Sequence, residues 1–261
     1  MSQVLIHPTA IIDPQAELGP AVSVGAYTVI EGDVFIDAGT QIGPHVYIDR
    51  NTRIGKNCTI SPFAAIGTPP QDKKFKGEKT EVVIGDENVI REYVTINRGT
   101  PGGGGITSIG NQNLLMGYVH VAHDCHLGNG IVMANVATLG GHVVLEDYSF
   151  IGGLAAVHQF VRVGAYAYIG GKTGIVQDIP PYVIASGERA KLFGLNIIGL
   201  TRHEFSNEVI MALKKTYQIV IRSHLTIQEA ILRVEKEVPS FPEIKRFLEF
   251  IRSSQRGITR K

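Results

Sequence analysis

The fold is decided by a repeat that is clearest in residues 6–48, which read IHPTAIIDPQAELGPAVSVGAYTVIEGDVFIDAGTQIGPHVYI. Every sixth residue from Ile6 to Ile48 is aliphatic, and a small residue follows each of them after four places. An α-helical face repeats about every 3.6 residues and a strand alternates at every second residue, so a period of six fits neither element alone. A fixed internal repeat is typical of a solenoid, whose stacked units bury one continuous core.

The same pattern runs through most of the chain in three stretches, which together contain 26 hexapeptides. Their aliphatic positions fall within residues 6–66, 84–96 and 109–175. Two insertions interrupt the repeat, at residues 68–83 and 99–108, and the second is rich in glycine. We predict that each hexapeptide forms one short strand and a corner, with its aliphatic residue inside.

This pattern resembles that of the hexapeptide-repeat family. The resemblance implies a three-sided prism with about 18 residues per coil, hence about nine coils in this chain. It also implies left-handed connections, against the usual rule for parallel strands. Members of the family typically form homotrimers with sites between subunits, so the same assembly is expected here.

From about residue 188 the pattern becomes helical. Ser206 is expected to cap a helix with Leu213 on its apolar side, and the sequence from Thr226 to Glu229 matches a capping box. Pro239 is expected to end that helix and Ser240 to start another. We therefore predict a mainly β protein: a left-handed parallel β-helix at residues 1–187 and a small α-helical domain at residues 188–261, which covers the solenoid end, binds substrate, or does both.

Register separates inward-facing from outward-facing residues. Cys58 and Cys125 occupy the small inward slot, which predicts buried thiols rather than a disulfide or a catalytic cysteine. Residues one coil apart should lie about 4.8 Å from each other. On this basis one surface stripe is expected to contain His120, His123, Asp124, Gly141, His142, His158 and Gln159.

The residue types in this stripe suit acid–base chemistry. Histidine titrates near neutrality and is the usual general base, and a neighbouring carboxylate can orient it. The backbone N–H of Gly141 can approach a developing oxyanion, because glycine has no side chain. A competing hypothesis is a zinc site, as in hexapeptide-repeat carbonic anhydrases, since three histidines can bind zinc.

Composition excludes several other classes. The 261 residues carry a net charge of +1 and 19% charged residues, which does not suggest a nucleic-acid-binding protein. The N-terminal sequence MSQVLIHPTA does not have the pattern of a secretory signal, and no apolar run approaches the roughly 18 residues of a transmembrane segment. We expect a cytoplasmic protein.

A closer resemblance extends over nearly the whole chain. The segments QDKKFKGE, INRGT, GNQNLLM, HVAHDCHLGN, ANVATLGGHV, IGGLAAVHQF, QDIPPYVIASG and FGLNIIGL resemble those of the UDP-N-acetylglucosamine O-acyltransferase family. This resemblance implies transfer of a hydroxyacyl chain from acyl carrier protein to the sugar 3-hydroxyl of UDP-N-acetylglucosamine, the first step of lipid A biosynthesis. It implies no cofactor and no metal, since the acyl chain arrives on the carrier's phosphopantetheine.

The matched motifs also imply residue roles. His123 would be the general base, Asp124 its supporting carboxylate and Gly141 the oxyanion donor. Residues implied for substrate binding are His120, His142, Asp72 and Lys74 for the sugar and diphosphate, His158 and Gln159 for the acyl and pantetheine side, and Asn196 and Arg202 for the nucleotide. The basic first insertion, with Lys73, Lys74, Lys76 and Lys79, independently suits an anionic nucleotide sugar and an acidic carrier.

Three further positions bear on specificity. Gly171 falls on a different face from His123, and in the family this position limits acyl length, so glycine predicts a long chain of about 14 carbons. Ile198 and His203 stand where the family often has an acidic residue and a second arginine, so the chain departs from the family's pattern in the part implied to bind the nucleotide.

Other functions remain open from the sequence. One is acetyl transfer from acetyl-CoA, and another is N-acylation of a 3-amino UDP-sugar. The related N-acyltransferase of the pathway normally has an extra N-terminal domain, and here the repeat starts at residue 6, which argues against it. A non-catalytic structural solenoid is the non-enzyme alternative, but it does not require an outward stripe of histidines.

Overall fold

The structure is a computed structural model that describes residues 4–260. Before the first insertion it contains eleven short strands, each of which includes one aliphatic residue of the repeat. They are β1 (Leu5–Ile6), β2 (Ile11–Ile12), β3 (Glu17–Leu18), β4 (Ser23–Val24), β5 (Val29–Ile30), β6 (Val34–Ile36), β7 (Gln41–Ile42), β8 (Tyr47–Ile48), β9 (Thr52–Ile54), β10 (Thr59–Ile60) and β11 (Ala65–Thr68).

Fifteen further strands continue the solenoid after the first insertion. Between the insertions lie β12 (Glu81–Ile84), β13 (Val89–Ile90) and β14 (Thr95–Asn97). The second insertion contains a short 3₁₀ turn at Pro101–Gly103. It is followed by β15 (Ile106–Ile109), β16 (Leu114–Leu115), β17 (His120–Val121), β18 (His126–Leu127), β19 (Val132–Met133), β20 (Thr138–Leu139), β21 (Val144–Leu145), β22 (Phe150–Ile151), β23 (Ala156–Val157), β24 (Arg162–Val163), β25 (Tyr168–Ile169) and β26 (Gly174–Ile175). All 26 predicted hexapeptides therefore form strands.

These strands make three parallel sheets, which are the walls of the prism. Successive strands lie in successive walls, so each strand from β1 to β23 pairs with the one three places later, as β1 does with β4. Leu5 thus lies beside Ser23, one coil of 18 residues later, and Ile84 lies beside Ile109 across the second insertion. The insertions therefore loop out of the solenoid without changing the register between neighbouring strands of a wall.

The aliphatic residue of the repeat is buried in every strand from β4 to β26. Cys58 and Cys125 have no exposed surface, as the small inward slot predicts. Burial raises the pKa of the Cys125 thiol to about 12, because the interior disfavours a thiolate. The core is thus one apolar column from β4 to β26.

The corners require left-handed backbone at residues that are not glycine, with φ of 56° at Tyr27 and 65° at Phe63. One edge of the prism carries five such corner rings, stacked 4.7–5.2 Å apart between centroids. We call this edge the aromatic ladder, and it consists of Tyr27, His45, Phe63, Tyr93 and Tyr118. Its rings are exposed to solvent in the single chain.

The C-terminal segment begins with β-structure and not with a helix. Strand β27 (Val183–Ser186) extends one wall, and β28 (Lys191–Leu195) pairs with it antiparallel. The helical pattern expected from about residue 188 thus begins later than predicted. The division at residue 187 stays a prediction, and its outer bounds, residues 1 and 261, lie outside the described residues.

Four helices follow: α1 (Ile197–Arg202), α2 (Asn207–Tyr217), α3 (Ile227–Glu237) and α4 (Pro242–Ser253). A π-helical turn, Gln218–Arg222, extends α2. Ser206 caps α2 and Thr226 forms the capping box of α3, both as predicted. The prediction that Ser240 starts α4 is wrong, because Phe241 is the N-cap and Pro242 occupies the first turn, where its fixed φ favours a helix start.

Helix α4 packs against the side of the last coils. Glu146 accepts hydrogen bonds from Arg162 and Arg246, and the Arg162 guanidinium carbon lies 4.3 Å from the ring centroid of Phe250. These contacts join the helical region to the solenoid. Within residues 4–260, no helix is both long and apolar enough to cross a membrane.

The buried column predicts that truncating one of its residues destabilises the protein strongly. Leu115→Ala removes a side chain with no exposure and should lower the free energy of unfolding by about 2–5 kcal/mol. Leu232→Ala makes the same change at a side chain that is 67% exposed and should have little effect. Urea unfolding followed by circular dichroism measures both, and equal losses would contradict a packed interior.

Candidate active site

The site is built at one corner of the prism, in the turn that follows β17. His123 and Asp124 form this turn, and Asp124 has a left-handed φ of 58°. The Nδ1 atom of His123 lies 2.7 Å from Oδ2 of Asp124. The His123 side chain is 17% exposed and that of Asp124 is fully buried, so a solvent-accessible ring is held by a carboxylate shielded from water.

Burial of Asp124 corrects the predicted surface stripe. Asp124 does lie outside the prism interior, but the second insertion covers it. The backbone N–H and the hydroxyl of Thr100 donate to its two carboxylate oxygens at 2.8 and 2.7 Å. The Thr107 hydroxyl accepts its backbone N–H at 2.8 Å. The repeat pattern predicts which corner Asp124 occupies, but it does not predict the path of the insertion above it.

Gly141 lies one coil beyond His123, as the register predicts. A Cβ atom at this position would lie 2.6 Å from Cε1 and 2.8 Å from Nε2 of His123, so only glycine allows this approach. The Gly141 residue is buried, and within residues 4–260 its backbone N–H has no hydrogen-bond acceptor. A buried N–H without an acceptor, next to a histidine, suits a developing negative charge.

Two further histidines flank this pair. His142 Nε2 lies 3.7 Å from Oδ2 of Asp124, and its ring meets that of His123 edge-on with centroids 5.1 Å apart. Burial lowers the pKa of His142, although the Asp124 carboxylate opposes that shift. The pKa of His120 is lowered by burial and by the nearby His123, and its Nδ1 lies 2.7 Å from the Thr95 hydroxyl. Both rings are therefore mostly neutral at neutral pH.

This geometry favours a general base. When Nδ1 of His123 donates its proton to Asp124, Nε2 is left as the proton acceptor, and the carboxylate stabilises the imidazolium that forms. The donor atoms of His123, Asp124 and His142 also lie within 4.8 Å of one another, which keeps the zinc hypothesis testable. The oxygens of Asp124, however, already accept three hydrogen bonds from His123 and Thr100.

Other predicted residues lie around the same corner. Asp72 and Lys74 are on the first insertion, where the backbone N–H of Lys74 donates to the Asp72 carboxylate at 2.9 Å. The charge of Asp72 is close enough to oppose the lowering of the His142 pKa. His158 and Gln159 lie further along this edge and are exposed. The structure thus places the loop that carries Asp72 and Lys74 near the edge that carries His123 and Asp124.

Three predicted residues lie elsewhere in the same chain. Gly171 is exposed in a shallow hollow that continues the aromatic-ladder edge beyond Tyr118, together with Asn135, Val136, Gly153, Leu154 and Lys172. Asn196 and Arg202 line a cavity of about 900 Å³ between helix α1 and the wall that holds Phe150 and Tyr168. A single chain therefore does not bring these three residues to His123.

Sequence reasoning missed Thr100 and Thr107, the two partners of Asp124 in the second insertion. Thr100 belongs to the segment INRGT, which resembles the family, but the resemblance implies no role for the residues of that segment. A polar motif directly before a glycine-rich break is a signal that the break folds back on the repeat. The motif alone does not identify the carboxylate it binds.

A parallel β-helix of hexapeptide repeats that carries a carboxylate-supported histidine is the architecture expected of a hexapeptide acyltransferase. Residues 33–68 match the bacterial transferase hexapeptide family (six repeats), and residues 178–259 match domain 2 of UDP N-acetylglucosamine O-acyltransferase. The chain belongs to the UDP-N-acetylglucosamine O-acyltransferase family and is an enzyme. The expected left-handed parallel β-helix with a small C-terminal helical region is confirmed.

Similarity to individual proteins covers nearly the whole chain. A protein of Thermodesulfovibrio yellowstonii named acyl-(acyl-carrier-protein)–UDP-N-acetylglucosamine O-acyltransferase is 56% identical, with 98% of this chain and 99% of that protein covered. A similarly named protein of a Janthinobacterium species is 52% identical over the same shares. The solved UDP-N-acetylglucosamine acyltransferase of Bacteroides fragilis is 44% identical with a TM-score of 0.96, covering 98% of this chain and 100% of that one.

The close approach of Gly141 to His123 generates a prediction. Gly141→Ala should push the His123 ring out of position and lower the turnover of acyl transfer about a hundredfold, because small misplacements of a catalytic group are costly. Gly102→Ala is the matched control, since a Cβ there meets no atom within 4 Å. Turnover close to that of the unsubstituted protein in Gly141→Ala would contradict the tight packing of ring against backbone.

Proposed function

We propose that the protein transfers a 3-hydroxyacyl chain from acyl carrier protein to the 3-hydroxyl of UDP-N-acetylglucosamine, the first step of lipid A biosynthesis. The observation that carries the proposal is the His123–Asp124 pair beside the unpaired, buried N–H of Gly141. Such a base and oxyanion donor on one corner is what acyl transfer to a hydroxyl requires. The names of the near full-length relatives supply the donor and acceptor.

The proposed reaction uses one base for both proton transfers. Nε2 of His123 removes the proton of the sugar hydroxyl as that oxygen attacks the thioester carbonyl carbon. The carbonyl oxygen gains negative charge, which the N–H of Gly141 stabilises. When the carbon–sulfur bond breaks, the imidazolium returns the proton to the pantetheine sulfur. Asp124 stabilises the imidazolium between the two steps and does not itself take the proton.

Two neutral histidine rings and one lysine suit the acceptor, UDP-N-acetylglucosamine. His120 and His142 are kept neutral by burial, so they can hydrogen-bond sugar hydroxyls without adding charge. Lys74 is an exposed cation on the first insertion and suits the diphosphate, while Asp72 can accept from sugar hydroxyls. These are proposed roles for sugar and diphosphate binding.

For the nucleotide, Arg202 is the better candidate of the two residues in the cavity at α1. The Asn196 side chain already accepts the Gly199 N–H at 3.1 Å and donates to the Tyr166 carbonyl at 3.0 Å. We propose that Asn196 fixes α1 and that Arg202 contacts phosphate, to which guanidinium groups bind well. His203 packs on Tyr148 and Tyr166, with ring centroids 4.9 and 5.0 Å away, so it extends the aromatic lining and does not replace the family's arginine as a free cation.

A homotrimer would bring the separated parts together. Gly171, Asn196 and Arg202 lie away from the edge that carries His123, so one chain provides an incomplete site. The aromatic ladder is 42–60% exposed at its tyrosines and Phe63, which is a large apolar surface for a monomer. We propose that the ladder edge of one subunit packs beside the His123 corner of its neighbour.

The hollow at Gly171 is the proposed end of the acyl groove. A Cβ there would meet only the Gly153 backbone, at 3.2 and 4.0 Å, so no side chain from residue 171 narrows the hollow. His158 and Gln159 are proposed to line the acyl and pantetheine side. We propose a preferred chain of about 14 carbons, since each methylene a groove accommodates adds apolar contact.

Several finer points belong to the same proposal. The acyl chain would arrive on phosphopantetheine, so no cofactor or metal is proposed, and a cytoplasmic location remains an expectation. A 3-amino UDP-sugar is the second candidate acceptor, because a histidine base serves an amine as well as a hydroxyl. Transfer from acetyl-CoA is less well supported, because the hollow at Gly171 leaves room for a longer chain.

The role of His123 is tested by substitution. His123→Ala should lower the transfer rate by about 10²–10⁴-fold without unfolding the protein, because the base and its positioning are lost together. His224→Ala is the control, since His224 is an exposed histidine between α2 and α3. Near-normal turnover in His123→Ala would remove it as the base. Stoichiometric metal in the purified protein, lost with His123→Ala, would favour the zinc hypothesis instead.

The shared site is tested by mixing two inactive variants. His123→Ala and Arg202→Ala chains, unfolded and refolded together, should regain about one quarter of the unsubstituted activity, because that share of interfaces pairs two intact surfaces. Each variant refolded alone is the control. If both residues act within one chain, every mixed site keeps one defect and the mixture stays inactive.

A further inference from the structure

One four-residue segment contacts both insertions and the catalytic corner. It comprises residues 97–100, which read NRGT and run from the last residue of β14 to the N-cap of the 3₁₀ turn. We propose that this segment is a positioning element that sets the His123–Asp124 pair and the sugar-binding loop in one fixed relation. The inference rests on the proposed function and adds residues for which the family resemblance gave no role.

Arg98 fixes the first insertion. Its Nη1 donates to Oδ2 of Asp49 at 3.0 Å and to the Gly67 carbonyl at 2.8 Å, and the residue is 6% exposed. Its guanidinium carbon lies 5.6 Å from the ring centroid of Phe75. The Phe75 N–H in turn donates to the carbonyl of Asp72 at 3.1 Å. Asp49 and Gly67 thus hold the guanidinium in place, and its contact with Phe75 anchors the loop that carries Asp72 and Lys74.

Asn97 fixes the point where this loop leaves the wall. Its side-chain N–H donates to the Thr68 hydroxyl at 2.8 Å, and Thr68 is the last residue of β11. Asn97 is 3% exposed, so water does not compete for that contact. Asn97 thus holds the start of the first insertion, where it leaves the wall, and Arg98 holds a residue further along the same insertion.

Thr100 fixes the catalytic carboxylate. Its N–H and its hydroxyl bind different oxygens of Asp124, which prevents rotation of the carboxylate plane. The hydroxyl binds Oδ2, the same oxygen that lies 2.7 Å from His123 Nδ1. The hydroxyl therefore both orients Asp124 and withdraws negative charge from the oxygen that faces the base. Thr100 touches neither substrate nor base and is a positioning residue.

The contact of Thr100 with Asp124 and the contact of Arg98 with Phe75 predict different kinetic effects. Thr100→Val should lower kcat about tenfold or more, with little change in KM for UDP-N-acetylglucosamine. It should also move the acid limb of the kcat/KM profile to higher pH. Without the Thr100 hydroxyl, Oδ2 of Asp124 keeps more negative charge, which stabilises the protonated, inactive form of His123. Thr100→Ser keeps the hydroxyl and should restore both. Phe75→Leu should raise KM for the nucleotide sugar several-fold while leaving kcat and the acid limb in place.

The test compares these variants with Thr80→Val, a matched control. Thr80 is 2% exposed and its hydroxyl has no hydrogen-bond partner within residues 4–260, so the same substitution removes no hydrogen bond. Circular dichroism and thermal melting establish that each variant is folded. The inference is overturned if Thr100→Val keeps the kcat and acid limb of the unsubstituted protein, if Thr100→Ser fails to restore them, or if Thr80→Val produces the same shift. It is also overturned if Phe75→Leu leaves KM unchanged.

Failure of this inference is distinguishable from failure of the proposed function. If the unsubstituted protein transfers acyl chains and His123→Ala does not, the function stands whatever Thr100→Val does. If the unsubstituted protein shows no transfer, the proposed function has failed, and this inference, which rests on it, is overturned with it.

Discussion

The structure depends on the hydrogen bonding of each strand to the strand one coil further on. Backbone groups pair across coils along the whole solenoid, as from Gly25 to Ile42 and from Gly140 to Val157. Each such bond contributes only about 1 kcal/mol, but the aliphatic column inside adds apolar burial in every coil. Together they impose a fixed register, and left-handed corners such as Tyr27 are tolerated because the register requires them.

Because the register is fixed, residues that are one coil apart in sequence become neighbours in space. His123 and Gly141 lie 18 residues apart in sequence, and the coil brings backbone and ring into van der Waals contact. The solenoid alone would leave Asp124 open to water, where its charge would be screened. The second insertion buries it and leaves the His123 ring partly exposed. The regular coils thus determine the distances within the site. The second insertion shields the Asp124 carboxylate from water, which strengthens its interaction with His123.

Most of the fold was predictable because one pattern specifies it many times over. A six-residue period identifies the strands, the buried Cys125 and the contact of His123 with Gly141. The same pattern says nothing of the insertions, whose paths depend on side-chain hydrogen bonds such as those of Thr100. It also missed β28, where antiparallel pairing with the last strand of a wall overrides the weak helical pattern. For the candidate site, the sequence predicted which corner carries His123, but not the burial of Asp124 or the use of the Asn196 side chain to cap helix α1.

The central claim is that this site attaches a long acyl chain to the 3-oxygen of a nucleotide sugar. The most direct measurement is a competition in which the purified protein receives carrier-linked 3-hydroxyacyl chains of several lengths with equal amounts of UDP-N-acetylglucosamine and its 3-amino analogue. Product structures are then determined by mass spectrometry and NMR. The account predicts mainly an ester at the 3-oxygen, with a chain near 14 carbons favoured by the open hollow at Gly171. An amide as the main product, a strong preference for ten-carbon chains (about four methylenes shorter), or no transfer from the carrier would contradict it.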